Sequence, residues 1–188
     1  MTLSKSALLV SAIVALGSGG TAAGLAAGFA AEGLGTRVVG VCVSSPPWAL
    51  RSIARALARR CARRAGVTSD RLSAANLRAR LRIDTRFLGA GYGHPTAAGD
   101  EATAVALEAA HLSLDPTYTA KAFASALWHV RSRRARHILY WHTLSSAPMG
   151  PLLEGAPAPG ELDAALQKLL LPEAERYASD LARSPRDA

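Results

Sequence analysis

The sequence predicts an α/β fold, a parallel sheet flanked by helices. Three observations carry this reading. The apolar run Ala7 to Leu16 is short and bounded by glycine, the pattern of a strand buried on both faces. Ala22 to Ala31, rich in Ala and Leu, follows as a helix. Arg37 to Ser44, dense in valine, then reads as a second strand. A strand, a helix and a strand in this order make a right-handed parallel unit.

Between the first strand and its helix lies Gly17-Ser18-Gly19-Gly20-Thr21. Glycines allow a backbone to approach an anion, and consecutive N–H groups at a helix start point at it with the positive end of the helix dipole. Ser18 and Thr21 add hydroxyl donors. The loop lacks the lysine of a nucleotide P-loop and does not fit G-x-G-x-x-G with a later acidic partner. A tight turn packing helix on strand is the other reading of the same residues.

Further along, Gly33-Leu34-Gly35 closes the first helix. Pro46-Pro47 opens a helix that carries Arg51, Arg55, Arg59 and Arg63 at spacing four. Ile53, Leu57 and Cys61 would line its buried face, which makes it an amphipathic surface helix with a solvated arginine stripe. Thr68 to Arg80 reads as helix and the alternating Leu81 to Leu88 as strand. Gly89 to Pro95 is a loop, and Thr96 caps the helix after it, with Asp100 and Glu101 in the first turn. Asp115 caps and Pro116 opens a helix from Thr117 to about Val130. Ser132 to Arg136 is a basic turn, and His137 to His142 a last strand. Residues 1–147 would form the α/β domain, 148–160 a Pro/Gly-rich linker and 161–188 a helical extension.

The 188 residues suffice for one domain, and 49% apolar composition supplies a core. The net charge of +8 is carried largely by arginine and speaks first to solubility and nonspecific binding. No aromatics interleave the arginine helix, so no specific nucleic-acid site is expected, although a basic nucleic-acid-associated protein stands as a rival class. Cys42 and Cys61 form no metal-spaced pair and suit free thiols in a reducing, cytoplasmic setting. Lys5 before an apolar run resembles a signal peptide, and residues 7–31 would pass a hydropathy window for one span. Four glycines between Gly17 and Gly24 oppose a continuous helix there, so no membrane partner is expected.

The Gly17 loop, the Tyr92 loop and the Asp115 to Thr119 turn are placed to meet at one end of a parallel sheet, where such folds bind ligands. Tyr92 and Tyr118 lie 26 residues apart and are either acid–base phenols or packing residues with satisfied hydroxyls. Thr119 adds a neutral hydroxyl.

GSGGTAAGLAAG, GAGYGHPTAAGDEA, LDPTYTAKA and LYWHT, in this order and spacing, resemble the C-terminal half of the D-cysteine desulfhydrase and 1-aminocyclopropane-1-carboxylate deaminase family. These are pyridoxal-phosphate enzymes of the tryptophan-synthase-β-like fold, and the resemblance runs from about Leu8 to Thr143. It implies that Gly17, Ser18, Gly19, Gly20 and Thr21 hold the cofactor phosphate and that Tyr92 and Tyr118 are catalytic. It also implies that Thr119 faces the pyridine nitrogen, as in desulfhydrases, where deaminases have Glu. A neutral Thr119 would leave that nitrogen less protonated. The implied partners are a small amino-acid substrate and a second copy or a complementing chain. The family's Schiff-base lysine lies in its N-terminal half and has no counterpart among Lys5, Lys121 and Lys168. The family's HTGG reads His142-Thr143-Leu144-Ser145. The resemblance therefore implies a truncated deaminase- or desulfhydrase-like protein, or a non-catalytic cofactor- or anion-binding remnant.

Overall fold

A computed structural model describes residues 10–44, 46–67, 73–134, 137–143 and 150–167. The chain divides into two compact units, Met1–Leu144 and Ser145–Ala188. In the first, β1 (Val10–Leu16), β2 (Arg37–Cys42), β3 (Leu81–Asp84) and β4 (His137–Tyr140) form one parallel sheet in the order β3-β2-β1-β4. The chain runs outward from β1 through β2 to β3, then returns to place β4 on the other side of β1. The order therefore reverses between β1 and β4, and ligand crevices open beyond the carboxyl ends of strands at such a reversal.

Alternation along β1 feeds two cores. Val14 and Leu16 point to α1 (Gly20–Ala31) and α2 (Pro47–Arg64), with Ala22, Ala26, Leu50 and Ala54. Ile13 points to the opposite face, where Val39 and Val41 meet Ala122 and Ala126 of α5 (Thr119–Arg131). Helices on both faces explain why β1 and β2 read as continuous apolar runs. A third cluster joins α1 and α2 to Leu77 of α3 (Ala74–Arg80), largely through alanines. α4 (Ala97–Ala110) packs on α5 and is capped by the Thr96 hydroxyl, which accepts from Gly99 N–H at 3.1 Å.

Several boundaries differ from the sequence reading. α1 begins at Gly20, so Gly20 and Thr21 belong to its first turn. The buried stripe of α2 is Leu50, Ala54, Ala58 and Ala62, while Cys61 and Ile53 are exposed. Alanine, with a single methyl, lets α2 approach α1 more closely than an Ile/Leu/Cys face would. β3 stops at Asp84 rather than Leu88, because the Asp84 carboxylate accepts from the Arg86 N–H and guanidinium and turns the chain. Residues 116–118 form a turn, and α5 starts at Thr119 instead of Thr117.

In the second unit the Pro/Gly-rich stretch includes a short helix, α6 (Gly150–Leu153), and a 3₁₀ turn at Pro159–Glu161. The chain is helical again at 164–167. The expected strand start at 7–9, helix start at 68–72 and helix end at 168–182 lie outside the described residues, as do Lys5, Lys168, Leu144 and Ser145. Among the described residues no helix is long and apolar enough to cross a membrane, and no group of residues is arranged to hold a metal.

Candidate active site

The loop after β1 and the turn before α5 meet at the reversal of strand order. Gly17 lies against Tyr118: a Cβ at position 17 would sit 3.0 Å from Tyr118 Cε1. Gly19 adopts φ +90°, and a Cβ there would meet Ala54 Cβ at 3.2 Å, so this turn requires glycine twice over. It delivers the chain into α1 with no side-chain cap and no acidic residue in the first turn. Ala23 is the first amide of α1 to find an acceptor, Gly19 O at 2.9 Å. The amides of Gly20, Thr21 and Ala22 donate to nothing among the described residues.

The head of α5 is the opposite case. The Asp115 carboxylate accepts from the amides of Thr117 (3.0 Å), Tyr118 (2.7 Å) and Thr119 (3.0 Å), and Asp115 O accepts from Ala120 N–H at 2.9 Å. The Thr119 hydroxyl donates to Asp115 Oδ2 at 2.6 Å and accepts from Asp115 N–H at 2.7 Å. Burial opposes ionisation of Asp115, but the Thr119 hydroxyl and the three amides outweigh it and hold the carboxyl below its ordinary value. One helix start is thus sealed by its own carboxylate, and the other is open to an anion.

Asp115, Tyr118, Thr119 and Thr143 line a cavity of about 460 Å³ at the head of α5. Tyr118 and Tyr92 share a hydroxyl–hydroxyl hydrogen bond of 2.8 Å, with their rings edge to face at 5.7 Å. That bond, reinforced by burial and the nearby Asp115 charge, pushes the Tyr118 phenol up to about 12. Tyr118 is therefore a proton-bearing phenol at neutral pH. Tyr140 of β4 donates to Thr119 O at 3.2 Å and braces the floor behind Thr119.

Tyr92 reaches Tyr118 on a loop in which Gly89, Gly91 and Gly93 all have positive φ. Lys121 fixes this loop from inside the protein. It is fully buried in α5, and its Nζ donates to Leu88 O at 2.9 Å and Gly91 O at 2.8 Å. Burial holds its ammonium below the usual lysine value, opposed by the charge of Cys42.

The structure thus gathers Gly17, Tyr92, Tyr118 and Thr119, with Ser18 and Gly19 on the adjoining loop and Gly20 and Thr21 in the first turn of α1. Sequence reasoning did not assign Thr143 or Lys121 to the site. The HT pair after β4 was the signal for Thr143, and only tertiary burial reveals the role of Lys121. The Thr119 hydroxyl proton is committed to Asp115, so Thr119 offers the cavity a lone pair and not a donor.

Comparison with known proteins finds similar sequences and a similar fold over most of this chain. The chain is 33% identical over 142 residues to nocardicin C-9′ epimerase of Nocardia uniformis subsp. tsuyamanensis, covering 76% of this chain and 41% of that protein. It is 31% identical over 134 residues to 1-aminocyclopropane-1-carboxylate deaminase of Burkholderia cenocepacia, covering 70% of this chain and 38% of that protein. Its fold matches the crystal structure of an ACC deaminase homologue with a TM-score of 0.62 and 26% identity, over 85% of this chain and 44% of that one. No family model matches the chain. By sequence and fold, this chain is similar to part of 1-aminocyclopropane-1-carboxylate deaminase and its relatives, spanning about two fifths of the length of the curated relatives it matches.

Proposed function

We propose that the chain is the cofactor-binding part of a pyridoxal-phosphate-dependent amino-acid deaminase or lyase of the ACC deaminase and D-cysteine desulfhydrase kind. The observation that carries the reading is the open head of α1. Three amides without acceptors lie next to Gly17, which touches the tyrosine lining the cavity. Gly17, Ser18, Gly19, Gly20 and Thr21 would hold the phosphate, and Thr119 would meet the ring nitrogen. Bound there, the cofactor supplies an electron sink for a carbon next to an amino group. Thr119 Oγ1 has only acceptor capacity left, which favours a ring nitrogen that carries a proton. Tyr92 and Tyr118 would orient a small amino acid, with Tyr118 donating a hydrogen bond and not removing a proton.

A second reading, a non-catalytic cofactor- or anion-binding module that pairs with another chain, is favoured by Lys121. It is the only lysine among the described residues, and its amine is buried and already donates to two carbonyls. Both readings require the phosphate cradle. Titration of pyridoxal phosphate, followed by fluorescence quenching, tests it. Ser18→Ala removes one hydroxyl and should cost only a few-fold. Gly19→Val forces a side chain into a positive-φ turn against Ala54 and should weaken binding roughly tenfold or more, from strain of about 1–3 kcal/mol. Affinity left unchanged by both substitutions would overturn the assignment.

A further inference from the structure

A second pocket, of about 290 Å³, opens on the α5 face of the sheet, from Ser11 and Arg37 at the starts of β1 and β2 to Asp84 at the end of β3. Four arginines line it: Arg37 of β2, Arg82 of β3, Arg86 in the turn after β3 and Arg134 in the turn after α5. Register explains the convergence. Arg82 is paired with Val39 across the strands, and Arg37 lies two residues before Val39, so both arginines share the α5 face.

Asp84 is the one carboxylate in the lining among the described residues, and it is already engaged. It accepts from Arg86 Nε at 2.8 Å and Nη2 at 2.6 Å, and from the Ser125 hydroxyl at 2.8 Å. The Arg86 guanidinium also lies over the Trp128 ring, 3.4 Å from its centroid. Asp84 thus neutralises Arg86 and anchors it as a rigid wall. Arg134 makes only a longer approach to Trp128, at 5.5 Å. Arg37 and Arg82 have no hydrogen-bond or ion-pair partner among the described residues. Three guanidinium groups with no carboxylate partner among the described residues surround one concavity and repel each other, and an anion relieves that repulsion. Their planar donor forks match phosphate oxygens. The volume equals about ten waters at roughly 30 Å³ each, more than a single phosphate fills.

We infer that this pocket is a second binding site, specific for a small molecule carrying two or more phosphate charges. It is distinct from the cavity beside Tyr118, with which it shares no lining residue.

Calorimetric titration of the full chain with inorganic pyrophosphate tests the site, with circular dichroism confirming that each variant is folded. The double variant Arg37→Gln/Arg82→Gln should weaken one binding event by roughly tenfold or more, the loss expected for charge-assisted hydrogen bonds. Arg60→Gln/Arg64→Gln removes the same charge from α2, outside the pocket, and should leave that event within about twofold. Gly19→Val, which disrupts the cradle, should leave it intact, so failure of the cradle and failure of this pocket give different patterns. Equal loss in the two arginine pairs would show general attraction to a basic protein and overturn the inference. So would loss confined to Gly19→Val, or no binding by the unmodified chain.

Discussion

Lys121→Met tests whether one buried amine holds the tyrosine pair together. Methionine keeps the length of the side chain and its apolar stem, so it opens little cavity. What is lost is the pair of hydrogen bonds to Leu88 O and Gly91 O. Charge-assisted hydrogen bonds of this kind are worth about 1.5–3 kcal/mol each when broken. Part of that is returned, because a buried ammonium no longer has to be desolvated and because the half-buried Leu88 and Gly91 can turn their carbonyls towards water. A net loss of about 2–4 kcal/mol is expected, seen as a lower urea midpoint at unchanged slope. Hydrogen exchange should accelerate across residues 88–93, and proteolysis should begin there.

The pH dependence carries a second signature. The Lys121 ammonium is held below its ordinary value of 10.5, so between the folded and unfolded values the unfolded chain binds more protons. Its contribution to stability therefore rises with pH through that window, reaching its full value above 10.5. A neutral amine still has two N–H groups for the two carbonyls, so the contact survives deprotonation. Lys121→Met should lose this rise. Midpoints equal to those of the unmodified chain, with unchanged exchange at the loop, would refute the reasoning.

Tyr92→Phe removes the largest influence on Tyr118, so the Tyr118 phenol should fall from about 12 towards its unperturbed value of 10. Tyrosine ring-carbon NMR would follow it, and an unmoved Tyr118 resonance titration would count against the pairing. This chain alone should show no turnover of D-cysteine or 1-aminocyclopropane-1-carboxylate with excess cofactor, measured as pyruvate and ammonia release. Activity abolished by changing any one of Lys5, Lys121 or Lys168 to Ala would contradict that. The isolated chain should self-associate, since Leu139 and Trp141, 43% and 40% exposed, lie at the free edge beside β4, while Trp48 is 73% exposed. A monodisperse monomer in sedimentation would argue otherwise.

The residues that made the fold legible are those whose local chemistry and tertiary role coincide. Gly17 to Thr21 read as a turn into a helix because only glycine serves Gly19, and that turn falls at the reversal of strand order. Thr96 and Asp115 announced helix starts through short-range hydrogen bonds. Where several outcomes satisfy the same local pattern, the sequence was silent. The alternation at 81–88 could not show that Asp84 would turn back onto Arg86 and end the strand. In α2 the apolar weight of Ile53, Leu57 and Cys61 exceeds that of the alanines. Close approach to α1 favours small side chains instead, an outcome that depends on the partner helix. For Thr119 the residue type declared a hydroxyl, and only the position of Asp115 decided which way its proton points.

The contrast between the two helix starts has a further consequence. The amides at the head of α5 are satisfied by the Asp115 carboxylate, whereas α1 has no side-chain cap at Gly19 and no acidic side chain in its first turn. A phosphate seated on the free amides would serve α1 as the N-cap its sequence omits. Ligand occupancy and local folding then become one equilibrium, since the anion completes a helix terminus as well as occupying a cavity. At a ligand concentration 100 times Kd, such linkage adds about 2.7 kcal/mol to global stability. Slowed exchange at Gly20, Thr21 and Ala22, with little change at the already sealed head of α5, would report occupancy directly.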